Sequence, residues 1–165
     1  MTRDFREDLK EVVHSINMLF FGRGRLVEAQ RNPPEARSDV EWVVIDYNVF
    51  AITHLLDYLC LRDGGLIRAR LKPHGMEQLL SAVDDVLGRQ VGSSTVRQLI
   101  EGFRDKLMAH PYAQLTGELK AVREHADLEA AFEGELLVLL DQLHDVGTKV
   151  SEALAARSPS PAAPK

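Results

Sequence analysis

The residues best suited to chemistry lie together in one stretch, Phe103-Arg104-Asp105-Lys106-Leu107-Met108-Ala109-His110-Pro111-Tyr112. A guanidinium beside a packing face holds a phosphate or carboxylate through a planar fork of donors and a permanent charge. An imidazole exchanges a proton near neutral pH as acid or base. On a helix, at about 100° per residue, Arg104 and His110 fall roughly 120° apart. That puts one on either flank of the apolar stripe Val96, Ile100, Phe103, Leu107. Pro111 disfavours helical dihedrals at the residue before it, so His110 stands at the helix end, where unpaired carbonyls favour the imidazolium. Asp105 is suited to orient Arg104, or His110 of a second copy, and it reads equally as a solvated surface charge.

Other chemistries find less support. The six histidines (His14, His54, His74, His110, His125, His144) form no pair at ligand spacing with cysteine or a carboxylate cluster, so no metal and no cofactor is expected. His54 falls on an apolar stripe and reads as a hydrogen-bonded core residue. Gly22-Arg-Gly24-Arg lacks the strand, the third glycine and the Lys-Ser/Thr of phosphate loops. It reads as a solvated helix break whose arginines could at most touch a phosphate. Cys60, the only cysteine, lies in an apolar run and reads as a small buried hydrophobe rather than a reactive thiol.

Five amphipathic helices must position these residues. The first runs from about Arg3 to Phe21 on Phe5, Leu9, Val12, Val13, Ile16 and Phe20. It weakens at Gly22 and Gly24, restarts through Leu26–Arg31 and ends at Pro33-Pro34. Ser38 followed by Glu41 is a capping box that opens the second helix. Its stripe is Val40, Val43, Val44, Tyr47, Ala51, His54, Leu55 and Tyr58, and Gly64-Gly65 closes it. A shorter helix from about Met76 to Leu87 turns Leu79, Leu80, Val83 and Leu87 inward. Ser93 or Ser94 caps the fourth, which carries Val96, Leu99, Ile100, Phe103 and Leu107 and stops at Pro111. The last is the longest: Leu128, Phe132, Leu136, Leu139, Leu143, Val146, Val150 and Leu154 alternate steps of three and four, as in a bundle-forming or dimer-forming helix. With no strand signal the fold class is all-α, a bundle of about five helices. Residues 1–157 read as one domain and residues 158–165 as a disordered Pro/Ser/Ala tail.

The 165 residues, 45% hydrophobic and 27% charged, suit one soluble globular domain. A densely charged start and short apolar runs give no secretory signal or membrane span, so the expected location is the cytoplasm. The net charge of −5 argues against a generic nucleic-acid coat. It is uneven: Met1–Leu61 carries seven basic and ten acidic residues, Arg62–Arg123 ten and seven, and Glu124–Lys165 three and eight. A polyanion would have to meet the middle, where Arg97, Arg104, Lys106, Lys120 and Arg123 could neutralise phosphates.

At this stretch the sequence resembles the HEPN superfamily, α-helical bundles of toxin–antitoxin and phage-defence systems. The motif there is an Arg, usually followed by a polar residue, then a His four to six residues beyond; Arg104-Asp105 and His110 fit it. Arg-Asp-Lys-Leu-Met-Ala-His is especially similar to the abortive-infection branch. His110-Pro111-Tyr112 resembles the His-x-Tyr ending of toxins paired with nucleotidyltransferase antitoxins, in which the tyrosine is modified, although those usually have one residue fewer between Arg and His.

The resemblance implies metal-independent RNA cleavage in a homodimer, with Arg104 and His110 of two chains meeting across a two-fold axis. His110 would act as general acid/base, Arg104 would stabilise the transition state and Asp105 would orient, leaving a 2′,3′-cyclic phosphate and a 5′-hydroxyl. Arg97, Lys106 and Tyr112 are the expected substrate-binding residues, and a protein antitoxin such as a nucleotidyltransferase the expected partner. The alternative is a non-catalytic helical bundle serving dimerisation or protein binding. There Arg104 pairs with a carboxylate such as Glu101, His110 bonds a carbonyl of its own helix, and Tyr112 anchors an interface.

Overall fold

Phe5, Leu9, Val12, Ile16 and Leu19 recur at three and four, and Phe5–Ala29 is one helix, α1, in a computed structural model that describes residues 4–29, 31, 36–109 and 126–157. The carbonyl of Asp4 accepts the backbone N–H groups of Glu7 and Asp8 at its start. The expected break at Gly22 and Gly24 does not occur. Each glycine costs an exposed helix about 1 kcal/mol, but burying Leu19 and Leu26 on either side outweighs that cost. Gly22 serves a close crossing instead, because a Cβ there would lie 2.7 Å from Cγ1 of Ile52 on the next helix. Arg23, expected at a solvated break, pairs with Asp141 at 2.7 Å.

The second helix, α2 (Asp39–Leu56), starts at the capping box read from sequence. Ser38 Oγ accepts the Glu41 N–H at 3.3 Å, and the Glu41 carboxylate accepts the Ser38 N–H at 2.8 Å. It continues through a wider turn, Asp57–Leu61, held twice by one residue: the Arg62 N–H bonds the Asp57 carbonyl, and its guanidinium lies 3.1 Å from the buried Asp57 carboxylate. Gly64-Gly65 ends the element. Gly65 has φ +82, and a Cβ there would meet the Cys60 carbonyl carbon at 2.6 Å.

The face α2 buries is mostly not the expected one, although Leu55 of the expected stripe packs half-buried against the core. Val49, Ile52, Thr53, Leu56 and Leu59 point into the core, while Val40, Val44, Tyr47 and Tyr58 of the expected stripe are exposed. His54 is exposed too, beside the Phe50 ring at 6.0 Å, and is not a core histidine. The helix is apolar on two opposite sides, so periodicity alone does not fix which side turns inward.

A short helix, α3 (Leu66–Leu71), adds to the five expected, so the described residues hold six. A tight turn follows at Lys72–His74, then another at Glu77–Leu80 that runs into α4 (Ser81–Leu87), whose Val83, Val86 and Leu87 are buried. Two-residue strands β1 (Gln90–Val91) and β2 (Ser94–Thr95) pair antiparallel across Gly92. This bridge shifts the next cap: Ser94 is buried within it, and Thr95 opens α5 (Val96–Ala109) in place of Ser93 or Ser94.

The last helix, α6 (Ala126–Ala156), presents the expected line, with Phe132, Leu136, Leu139, Leu143, Val146 and Val150 buried. That line packs along α1 inside the chain's own core, so it is bundle-forming and not available to a second copy. Arg37, immediately before the Ser38 cap, makes two bonds to Glu133 of α6 at 2.9 and 2.8 Å, with side chains 2% and 1% exposed. The expected tail, residues 158–165, lies outside the described residues. Among the described residues no helix is long and apolar enough to cross a membrane.

Candidate functional site

α5 carries four of the six site residues expected from the sequence. Thr95 Oγ1 accepts the Gln98 N–H at 3.2 Å and Gln98 Oε1 accepts the Thr95 N–H at 2.8 Å, a reciprocal box that fixes the helix start. Val96, Leu99 and Ile100 are buried, and Phe103 stacks on Phe132 of α6 with centroids 5.5 Å apart and planes 7° from parallel. That stack sets the roll of α5 one residue before Arg104.

Backbone geometry then relates the four residues. Arg104 follows Arg97 by seven positions, so the two share one line of the helix about 10.5 Å apart along its axis. Asp105 and Lys106 follow on the same last turns, Lys106 roughly 200° round from Arg104 and off that line. Arg97 is exposed and forms no ion pair with the described residues. His110 and Tyr112 lie outside the described residues.

The basic excess of the middle segment is largely consumed. Arg68 binds Asp84 through one nitrogen at 2.7 and 2.6 Å, Arg89 binds Glu135 at 3.1 Å, Arg62 faces Asp57, and Arg70 Nε donates to Glu11 at 2.6 Å. Glu11, Asp57 and Glu135 come from the acidic outer segments, which fold back onto the basic middle. The Glu11 hydrogen bond holds the Arg70 guanidinium even more firmly charged than usual.

Cys60 is half-buried near Asp84, Arg68 and Arg97. Desolvation first, and the Asp84 carboxylate second, push its thiol up to about 12 against the pull of the two arginines. A thiol held in its protonated form is a poor nucleophile. This agrees with the packing role expected from the sequence.

A second ionic group was not anticipated. His74 Nε2 lies 3.0 Å from Asp8 Oδ2, Arg70 Nε is 3.7 Å from Asp8 Oδ1, and the Phe5 ring meets His74 edge-on at 5.0 Å. The Arg157 guanidinium covers Phe5 at 4.1 Å, tying the end of α6 to the start of α1. An Asp–His pair orients an imidazole, but no hydroxyl or thiol of the described residues bonds this ring. It acts as a clamp that holds the Lys72–His74 turn on α1. Asp8 stands four residues before Val12, on the inward stripe of α1, and a carboxylate at an inward position is the signal that marks such a partner.

Among the described residues no group of three or more His, Cys, Asp or Glu is placed to hold a metal ion. No protein-family model, curated protein or solved structure matches the chain, and the functional reading rests on its own residues.

Proposed function

We propose that the chain is a HEPN-like, metal-independent ribonuclease of the cytoplasm, a toxin or phage-defence effector in which Arg104 and His110 of two copies serve one RNA phosphate. What supports this reading is the register of α5: the helix is unbroken from Val96 to Ala109, so it carries Arg104 seven residues after Arg97, within an all-α bundle. The 2′-hydroxyl oxygen attacks the adjacent phosphorus and the bond to the 5′ oxygen breaks. One imidazole takes the 2′-hydroxyl proton, an imidazolium gives a proton to the leaving oxygen, and Arg104 balances the charge on the phosphate. Asp105 orients these groups. Arg97, two turns back on the line of Arg104, meets a phosphate further along the strand, with Lys106 and Tyr112 as further contacts. A protein antitoxin such as a nucleotidyltransferase belongs to the same reading.

Incubating the purified protein with total RNA, with and without chelator, tests it. Cleavage should survive chelation, leave 2′,3′-cyclic phosphate ends, and fall about 10²–10⁴-fold in Arg104→Ala and His110→Ala. Intact RNA, or variants that cut as well as the wild type, would sink the enzyme reading. The second reading, a non-catalytic dimerisation or protein-binding module, is favoured by one observation, the uncovered apolar line on α2.

A further inference from the structure

We propose that Phe132 of α6, acting through Phe103, is a positioning residue for RNA cleavage: it fixes the roll of α5 about its own axis and so the placing of Arg104 on the phosphate. The inference rests on the ribonuclease reading and adds to it a residue that never touches RNA. The two rings lie 7° from parallel with centroids 5.5 Å apart. That separation exceeds the about 3.5–4.0 Å of carbon layers in direct contact, so the rings are offset, the arrangement aromatic pairs prefer over a sandwich. Rolling α5 swings the Phe103 ring out of that parallel contact.

Phe132 is the fixed half of the pair. Its side chain is the largest of those fully buried among the described residues, and Leu136 and Leu139 of the same helix are buried in the core beside α1. The next residue, Glu133, accepts both guanidinium bonds of Arg37 at 2.9 and 2.8 Å, which pins the backbone that carries the ring. α5 is the half that needs positioning. Its start is held by the Thr95–Gln98 box and by the Val96 N–H, which donates to the Arg89 carbonyl at 2.9 Å. Beyond that start it packs mainly on α2 and the wider turn that follows, through Leu99 and Ile100. Aliphatic burial is non-directional and tolerates a small roll, whereas a ring stack does not. Phe103 therefore supplies a second, directional hold about 10.5 Å along the axis from Val96, one residue before Arg104.

The expected effect follows from the geometry of a helix. A side chain reaches about 6 Å from the axis, so a roll of about 10° moves its end by about 1 Å. A misplacement of that size can cost about 10²-fold in rate. Two copies serve one phosphate in the proposed site, so each roll error enters twice.

Single-turnover cleavage of RNA by the full chain, followed across RNA concentration below the melting temperature of every variant, is the test. Phe132→Leu and the milder Phe103→Leu should each lower the maximal rate about 10- to 100-fold and leave the half-saturating RNA concentration within about twofold of wild type. Phe103→Tyr keeps the ring and should retain the rate within about twofold. Val12→Ala, a core change on α1, should lower the melting temperature without lowering the maximal rate. Leu variants that cut at the wild-type rate overturn the proposal and leave the ribonuclease reading standing. So does a Val12→Ala protein that loses rate in step with its stability, since the Phe132 effect would then be loss of fold alone. A loss confined to the half-saturating concentration assigns the stack to RNA binding and overturns it too. A wild type that leaves RNA intact sinks the ribonuclease reading and this inference with it.

Discussion

At the scale of single residues, Cys60 shows how a fold withdraws a group from chemistry. Burial and the Asp84 carboxylate raise its thiol to about 12, whereas in the unfolded chain it titrates near about 8.5. Between those values the folded protein holds a proton that the unfolded chain has lost. Stability therefore falls as pH rises through that window, and below it the thiol contributes no pH dependence. Cys60→Ala should flatten the decline in urea midpoint between about pH 8.5 and about pH 10.5 relative to wild type. Thiol reagents at about pH 8 should modify the native protein far more slowly than the urea-unfolded chain; rapid native labelling would refute the assignment. Among single side chains, the Ser38–Glu41 box could be read because its partners are three residues apart, whereas His54, expected in the core, is exposed because the period alone does not fix which side of α2 turns inward.

At the scale of elements, legibility depended on how one-sided each helix is. α6 could be read because its line Phe132 to Val150 is backed by the exposed Asp141, Asp145 and Lys149 away from it. α2 could not, because two opposite apolar lines satisfy the same period, and the choice between them is made by α1, α5 and the crossing at Gly22. The Arg37–Glu133 pair was invisible for another reason: 96 residues separate the partners, and neither stands in a motif. It joins the residue before α2 to the middle of α6 with both charges out of water. Glu133→Ala leaves the Arg37 guanidinium without its bidentate partner and should cost about 3–5 kcal/mol in chemical denaturation. Arg37→Met with Glu133→Leu should recover most of that loss, since an apolar pair of similar volume needs no charge compensation. A loss below about 1 kcal/mol for Glu133→Ala would mean that water reaches the pair. Because Arg37 adjoins the Ser38 cap, the same single variant should also loosen the start of α2.

At the scale of the whole molecule, the fold redistributes charge that the sequence kept in separate blocks. The all-α class was legible from periodicity, but the mutual neutralisation of the blocks was not, because it depends on which helices meet. Glu11 from α1, Asp57 beyond α2 and Glu135 from α6 each take an arginine of the basic middle, in a chain whose net charge is −5. On the proposed ribonuclease reading, the cations that α5 brings to RNA are Arg97, Arg104 and Lys106, with Lys106 off the line of the other two. RNA affinity should accordingly depend weakly on salt. Single-stranded binding falls with a slope of about −0.7 per neutralised phosphate, so about three contacts give a slope near −2. Filter binding of the His110→Ala variant across a series of potassium chloride concentrations measures it without cleavage. Arg97→Ala in that background should make the slope shallower by about 0.7, since it removes one phosphate contact, and should leave single-turnover cleavage by the His110-containing protein unchanged at saturating RNA. A slope steeper than about −5 would require a wide cationic surface, and the ion pairs of Arg62, Arg68, Arg70 and Arg89 would then have to open when RNA binds.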